Sequence, residues 1–239
     1  MNLVIDFGNS RMKIGLFEVH QMIEKASFTD EEELFHFLDS HASDACLIST
    51  VRKENQRLLS RVNSRQAPII LTSATPLPIT NRYATPHTLG VDRIAAACGA
   101  MQVLPHQPRL VIDAGTCFNY EFVDEENCYH GGAISPGLRM RLDAMHKFTA
   151  RLPLVELDGT YPLIGNSTET CMRSGVVNGA INEMNGFIDA YKILYPTLGV
   201  ILCGGDALRF ENQLKHPIFV APDLVLTGLN RILLHNVSL

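Results

Sequence analysis

Two aspartates sit in nearly the same short string. Asp6 lies in LVIDFGNS, residues 3–10, and Asp113 in LVIDAGTC, residues 110–117. Each follows an apolar run that reads as a buried strand, and each is followed two residues on by glycine (Gly8, Gly115). Glycine lets the backbone turn tightly and approach a ligand closely. The N–H groups of such a turn form an anion-binding concavity. Asn9, Ser10 and Thr116 add neutral hydrogen-bonding groups. Asp6 and Asp113 are anionic and cannot touch a phosphate directly, so they make sense if a cation or a metal-bound water stands between. One such loop at the start of each half reads as a pair of phosphate clamps holding a polyphosphate from two sides.

The elements that must position these loops follow from the pattern. LVIDF and RMKIGLFE read as two strands of a hairpin with its tip at Gly8 and Asn9. A helix is expected over DEEELFHFL, then strands at ACLISTV and APIILT, then a helix in RIAAACGAMQVL. The second half repeats the scheme with RLVIDAG, CFNYEFV and YHGGAIS. A helix start is expected at Ser135-Pro136, with proline at the first helical position. A longer helix should open near Asn166 with Glu169 in a capping box, its stripe running through Val177, Ile181, Met184, Ile188 and Tyr191. VILCGGDA reads as strand, turn and helix start, and a last helix closes the chain. LPHQPR, residues 104–109, marks the boundary, giving halves 1–105 and 106–239. Strands then helices, twice over, is an α/β pattern. Neither G-x-G-x-x-G after the first strand nor a Walker motif occurs, which sets aside the two commonest nucleotide folds.

Composition narrows the function classes. Of 239 residues, 46% are hydrophobic and 19% charged, ordinary values for a globular protein. A net charge of −5 gives no basic footprint for nucleic acid. The apolar runs are too short for a membrane span, and MNLVID lacks a basic signal-peptide region, so a cytoplasmic protein is expected. Six cysteines without C-x-x-C read as reduced, mostly buried thiols. Nine histidines without zinc-site spacing give no zinc prediction.

At the level of these motifs the chain resembles the sugar kinase, Hsp70 and actin superfamily, and within it the type III pantothenate kinases. The resemblance rests on DFGNSRMKIG at 6–15, TLGVDR at 88–93, DAGT at 113–116, GGAISPG at 131–137, GNSTETCMRSG at 165–175, LCGGDA at 202–207 and DLVLTGLN at 223–230. It implies an α/β fold of two similar RNase H-like, actin-like ATPase domains with a nucleotide cleft between them. It implies that ATP phosphorylates the primary hydroxyl of pantothenate, the first step of coenzyme A synthesis. Magnesium, a monovalent cation (potassium or ammonium) and a homodimer come with it.

The same resemblance assigns roles. Asp92 matches the general base, although an aspartate before RIAAACGAM also suits a helix N-cap. Arg93 matches the partner of the substrate carboxylate, for which arginine's fork is suited; a surface ion pair is the alternative. Tyr83, Gly90 and Val91 match further substrate contacts, and Thr168 one supplied by the partner subunit, unless it only caps its helix. Asp6, Gly8, Asn9, Ser10, Lys13 and Thr116 match the ATP phosphate side, Asp6 holding magnesium through water. Lys13 reads equally as a solvated strand lysine. Asp113 matches the monovalent-cation ligand, or else stabilises its own turn; Gly204 and Gly205 match the adenosine-side turn. The chain departs from the pattern at Ser10, where threonine is common, and at Cys117, where a small residue is usual. Two other readings stay open: a non-catalytic, transcription-associated relative, and an RNase H-like nuclease using Asp6, Asp92 and Asp113 with two metals.

Overall fold

A computed structural model describes residues 1–8, 11–50 and 56–237. The strands are β1 (Asn2–Phe7), β2 (Met12–Glu18), β3 (Gln21–Phe28), β4 (Ala42–Ser43), β5 (Ala45–Thr50), β6 (Asn63–Ser64), β7 (Ile69–Ile70), β8 (Thr80–Asn81), β9 (Arg109–Ala114), β10 (Cys117–Val123), β11 (Cys128–Pro136), β12 (Gly199–Cys203) and β13 (Phe219–Val220). The helices are α1 (Glu31–Ser40), α2 (Gln56–Arg61), α3 (Val91–Val103), α4 (Leu138–Phe148), α5 (Thr168–Leu194), α6 (Ala207–Phe210) and α7 (Leu224–Val237). They divide into two compact units. The first gathers Met1–His106, Glu126–His130 and Asp223–Leu239; the second gathers Gln107–Glu125 and Gly131–Pro222.

In the first unit the strand order is β3-β2-β1-β5-β7. β1 pairs antiparallel with β2 and parallel with β5. Leu3, Val4 and Ile5 are wholly buried, so β1 is covered on both faces, which is why it reads as an unbroken apolar run. The sequence pattern predicts no strand at β3. It carries Glu24 and Lys25 on an exposed edge, so its burial gives little apolar signal. Asp30 caps α1 by accepting from the N–H groups of Glu32 and Glu33.

The closing helix α7 packs along α3 and over β1. From sequence it falls in 106–239, yet it lies in the first unit, because its stripe of Leu226, Leu229, Ile232 and Leu233 is buried there. Two glycines make the α3–α7 contact close. A Cβ on Gly228 would stand 1.7 Å from the carbonyl oxygen of Ala95, and one on Gly99 2.4 Å from that of Leu224.

In the second unit β9 pairs antiparallel with β10 and parallel with β12, and β12 parallel with β13. The order β13-β12-β9-β10-β11 repeats that of the first unit, two parallel strands on one side of the aspartate-bearing strand and two successive strands on the other. The α5 stripe is as the spacing predicts. Val177, Met184 and Ile188 are buried, and Ile181 and Tyr191 pack against the same core. Two helix starts differ from expectation. β11 runs on through Ser135 and Pro136, and α4 begins only at Leu138 after Gly137, because Ser135 and Pro136 remain extended under the start of that helix. The α5 capping box is built by Ser167 and Thr170, not by Glu169, since the threonine hydroxyl also reaches back to the cap N–H.

All six cysteines are free thiols; Cys46, Cys98, Cys128 and Cys203 are buried, Cys117 half-buried and Cys171 exposed. Burial pushes the Cys46 thiol up to about 12, so it stays protonated and inert.

Candidate active site

In the first unit the chemistry gathers at the C-terminal end of β1. Asp6, half-buried, lies directly across the hairpin from Lys13 on β2. Ser49 on β5 donates to Asp6 Oδ1 at 3.3 Å. Burial raises the Asp6 pKa, Lys13 lowers it, Asp92 raises it and the Ser49 bond lowers it, with a net rise. Asp6 therefore feels both Lys13, its partner across the hairpin, and Asp92, far away in sequence. Gly8 follows β1; Asn9 and Ser10 lie outside the described residues.

A raised carboxyl pKa is also a statement about stability. The stability owed to neutral Asp6 is complete below the ordinary value of 3.8 and is lost as pH rises through the higher folded value. Asp6→Asn should therefore raise the melting temperature near neutral pH and give a shrinking gain as the pH approaches 3.8, while activity falls. Melting curves at the two ends of that range check this. An equal shift at both ends would mean that ionisation of Asp6 is not the cause.

Gly90 precedes α3 as its N-cap residue, Val91 is the first helical residue and Asp92 the second. Asp92 therefore does not cap the helix; it is exposed, with Oδ1 accepting from the Arg93 N–H at 2.9 Å. A carboxylate in this first turn is favoured by the helix dipole. Arg93 is only 8% exposed, and its guanidinium lies 5.6 Å from the centre of the Tyr83 ring. Tyr83 in turn stacks on Tyr129 at 6.1 Å, and its N–H donates to Asn81 Oδ1 at 2.9 Å. The turn after β8 thus props up an arginine whose neighbour in the chain is the exposed Asp92.

The second unit assembles its own group at the C-terminal ends of β9 and β12. Asp113 pairs in register with Asn119 on β10 and with Cys203 on β12. The next residue, Gly204, has φ +92°. A Cβ there would meet Asp113 Oδ1 at 2.3 Å and the Ala114 oxygen at 2.5 Å, so the turn needs glycine for both its conformation and its packing. The Asp206 N–H then donates to the Ala114 oxygen at 2.9 Å, holding the Gly204–Gly205 turn against β9. Thr116 is exposed in the β9–β10 turn, with its carbonyl accepting from the Gly137 N–H at 3.1 Å.

Thr168 opens α5. It is exposed at the first position of α5, where Ser167 and not Thr168 makes the cap. It lines an open cleft of about 760 Å³ with Met145, Leu152, Gly165, Asn166, Ser167, Cys171 and Met172. Asp113, Thr116, Gly204 and Gly205 do not line that cleft.

Among the described residues no group of three or more His, Cys, Asp or Glu side chains could hold a metal ion. A cation bound at Asp6 or Asp113 would have to take most of its oxygen ligands from ATP and water. Hard cations accept such shells readily, so single carboxylates fit that role. Sequence reasoning missed Ser49 as the donor to Asp6 and Gly137 as the support of Thr116. Ser49 lies in a separate strand, 43 residues from Asp6, so only the β1–β5 register reveals it.

Residues 2–190 match the family model described as type III pantothenate kinase. The chain is 46% identical over 239 residues to a type III pantothenate kinase of Bacteroides fragilis, covering 99% of this chain and 98% of that one. Among solved structures it is similar to a Campylobacter jejuni protein described as a Baf family transcriptional activator, with TM-score 0.67 and 19% identity over 99% of this chain and 100% of the other. It is also similar to the ROK hexokinase of Thermus thermophilus, with TM-score 0.52 and 13% identity over 99% and 98% of the two chains. At those identities the structures speak for the fold alone, an α/β actin-like ATPase fold.

Proposed function

The chain belongs to the type III pantothenate kinase family and phosphorylates pantothenate with ATP, the first step of coenzyme A biosynthesis; we propose that Asp92 is the base of that transfer. The observation that carries this is the α3 start. It presents an exposed carboxylate next to a buried arginine, in electrostatic reach of Asp6, which itself faces Lys13 across the hairpin. The pantothenate hydroxyl gives its proton to Asp92 as its oxygen forms a bond to the γ-phosphorus. The bond from that phosphorus to the bridging oxygen breaks, and ADP leaves with the electron pair. Phosphoryl transfer asks little more of a protein than this, positioning and charge stabilisation.

Arg93 pairs with the pantothenate carboxylate, its guanidinium steadied by the Tyr83 ring. Gly90 and Val91 offer backbone to the same substrate. In the first unit Asp6, Gly8, Asn9, Ser10 and Lys13 serve the ATP phosphates. In the second unit Thr116 serves a phosphate, and Gly204 and Gly205 the adenosine. Asp6 would hold magnesium through water, and Asp113 a potassium or ammonium ion. Cations bound there would neutralise charge on the phosphates.

A homodimer, with Thr168 supplied by the partner, is part of the proposal. Two observations support it: Thr168 lines a cleft that neither Asp113 nor Thr116 lines, and a Cβ on Gly175, Gly179 or Gly186 of α5 would meet nothing within 4 Å, which leaves that face open. No described helix is long and apolar enough to cross a membrane. Both substrates are water-soluble, which favours a cytoplasmic reaction.

The test targets Arg93. Arg93→Met should raise the KM for pantothenate by roughly thirtyfold or more, the scale of a lost hydrogen bond to a charged group. It should also abolish the preference for pantothenate over its carboxamide. A variant that still prefers the carboxylate would remove Arg93, and with it this orientation of substrate against Asp92.

A further inference from the structure

Behind the β9–β10 turn of the second unit lies a polar cluster that no role above uses. Arg141 on α4 donates through Nε to the Pro136 carbonyl at 2.8 Å. One of its terminal nitrogens donates to Ser135 Oγ at 2.9 Å and to Glu183 Oε2 at 2.6 Å. Glu183, midway along α5, accepts a second bond from the Tyr120 hydroxyl at 2.8 Å. The same guanidinium lies 5.4 Å from the centre of the Phe118 ring. Burial, and then the bond to Glu183, push the Tyr120 phenol well up, so it remains a donor. Both ends of the ion pair are about four-fifths covered, at 20% and 24% side-chain exposure, where such a pair is screened less than at the surface.

What this cluster grips is the end of β11. Ser135 and Pro136 are its last residues, and Gly137 follows. Gly137 lies backbone to backbone against the β9–β10 turn. A Cβ on it would stand 2.3 Å from the Gly115 oxygen and 2.5 Å from the Thr116 oxygen, and its N–H holds the Thr116 carbonyl. The Gly115–Thr116 turn thus rests on a segment that Arg141 clamps from the other side.

We propose that Arg141 and Glu183 are positioning residues for ATP binding, fixing the Gly115–Thr116 turn through Ser135, Pro136 and Gly137. This rests on the reading that Thr116 contacts an ATP phosphate. Neither residue touches substrate. The pair sets where the turn's backbone and hydroxyl stand, and displacements of an ångström in such groups have large kinetic effects.

The experiment compares Arg141→Met, Glu183→Gln, Thr116→Val and Leu198→Ala by steady-state kinetics and thermal melting. Leu198 precedes β12, at the opposite end of that strand from Gly204, and is buried, so its variant loses stability without touching the turn. Arg141→Met should raise the KM for ATP about tenfold while the KM for pantothenate stays within about twofold. Glu183→Gln, which leaves the fold least disturbed, should show the same split more weakly, and Arg141→Lys should recover part of the loss. Leu198→Ala should lower the melting temperature without the split. In the Thr116→Val background, Arg141→Met should add little, because both act on one turn. If Thr116→Val raises the KM for ATP while Arg141→Met and Glu183→Gln change only the melting temperature, the pair is merely structural and the proposal fails. If Thr116→Val itself leaves the KM for ATP unchanged, the Thr116 reading fails and takes this proposal with it.

Discussion

Asp92→Asn lowers turnover by about a hundredfold or more, the scale expected when a general base is lost. The fold of the first unit survives the change. Asparagine keeps an oxygen where Asp92 Oδ1 accepts from the Arg93 N–H at 2.9 Å, so the α3 start is preserved. Two small effects on stability oppose each other. A first-turn carboxylate gains about 0.3–1 kcal/mol from the helix dipole, and asparagine gives that up. Asp92 also raises the Asp6 pKa, so removing its charge relieves Asp6 at neutral pH. The melting temperature should therefore barely move while kcat collapses, and the KM values for both substrates should change only a few-fold. Steady-state kinetics beside a circular-dichroism melt reads all three. Turnover near that of the parent protein would make Asp92 a structural residue and leave the base unassigned.

Gly228→Val has the largest expected effect on stability. In most helices glycine is about 1 kcal/mol worse than alanine, so replacing it helps. Here the sign reverses. Any Cβ at 228 would lie 1.7 Å from the Ala95 carbonyl oxygen, a backbone atom that no rotamer change can move. Helices α3 and α7 must separate, and overpacking of this kind costs about 3 kcal/mol. In a protein of this size that is a fall of roughly 6–12 °C in melting temperature. Activity should fall as well, because α3 carries Asp92 and Arg93 at its first turn. A variant melting within a degree or two of the parent would show that the two helices tolerate separation, and that their close approach does not fix the α3 start.

Much of the fold is legible in the sequence because the aspartate-bearing strands β1 and β9 are buried on both faces. Their unbroken apolar runs cannot be mistaken for surface. The α5 stripe is legible for the opposite reason: its apolar residues repeat at helical spacing while polar ones fill the other faces. Other features escape, besides the α5 cap partner. The edge strand β3 looks like a charged linker, since its outward residues have no apolar partner. Ser135-Pro136 carries a good helix-start signal, but pairing along β11 overrides it. The placement of α7 in the first unit depends on Gly99 and Gly228 meeting each other's helices, a long-range fit without a local trace.

The candidate site divides in the same way. Asp6 and Asp113 announce themselves by repetition, and Asp92 and Arg93 by the motif around them. Their supports are different. Ser49 on β5, Gly137 and Arg141 at the start of α4, and Glu183 on α5 come together only after folding. Gly137 ends the GGAISPG motif, but Ser49, Arg141 and Glu183 are ordinary residue types at ordinary positions, so only the coordinates reveal what they hold.

The measurement that bears most directly on the whole account is ADP release by the purified protein with MgATP. It is followed with and without pantothenate, and with potassium present or replaced by a bulky organic cation. ADP should appear only when pantothenate is present, and much more of it with potassium than with the substitute. ADP release indifferent to pantothenate, or none under any condition, would contradict it.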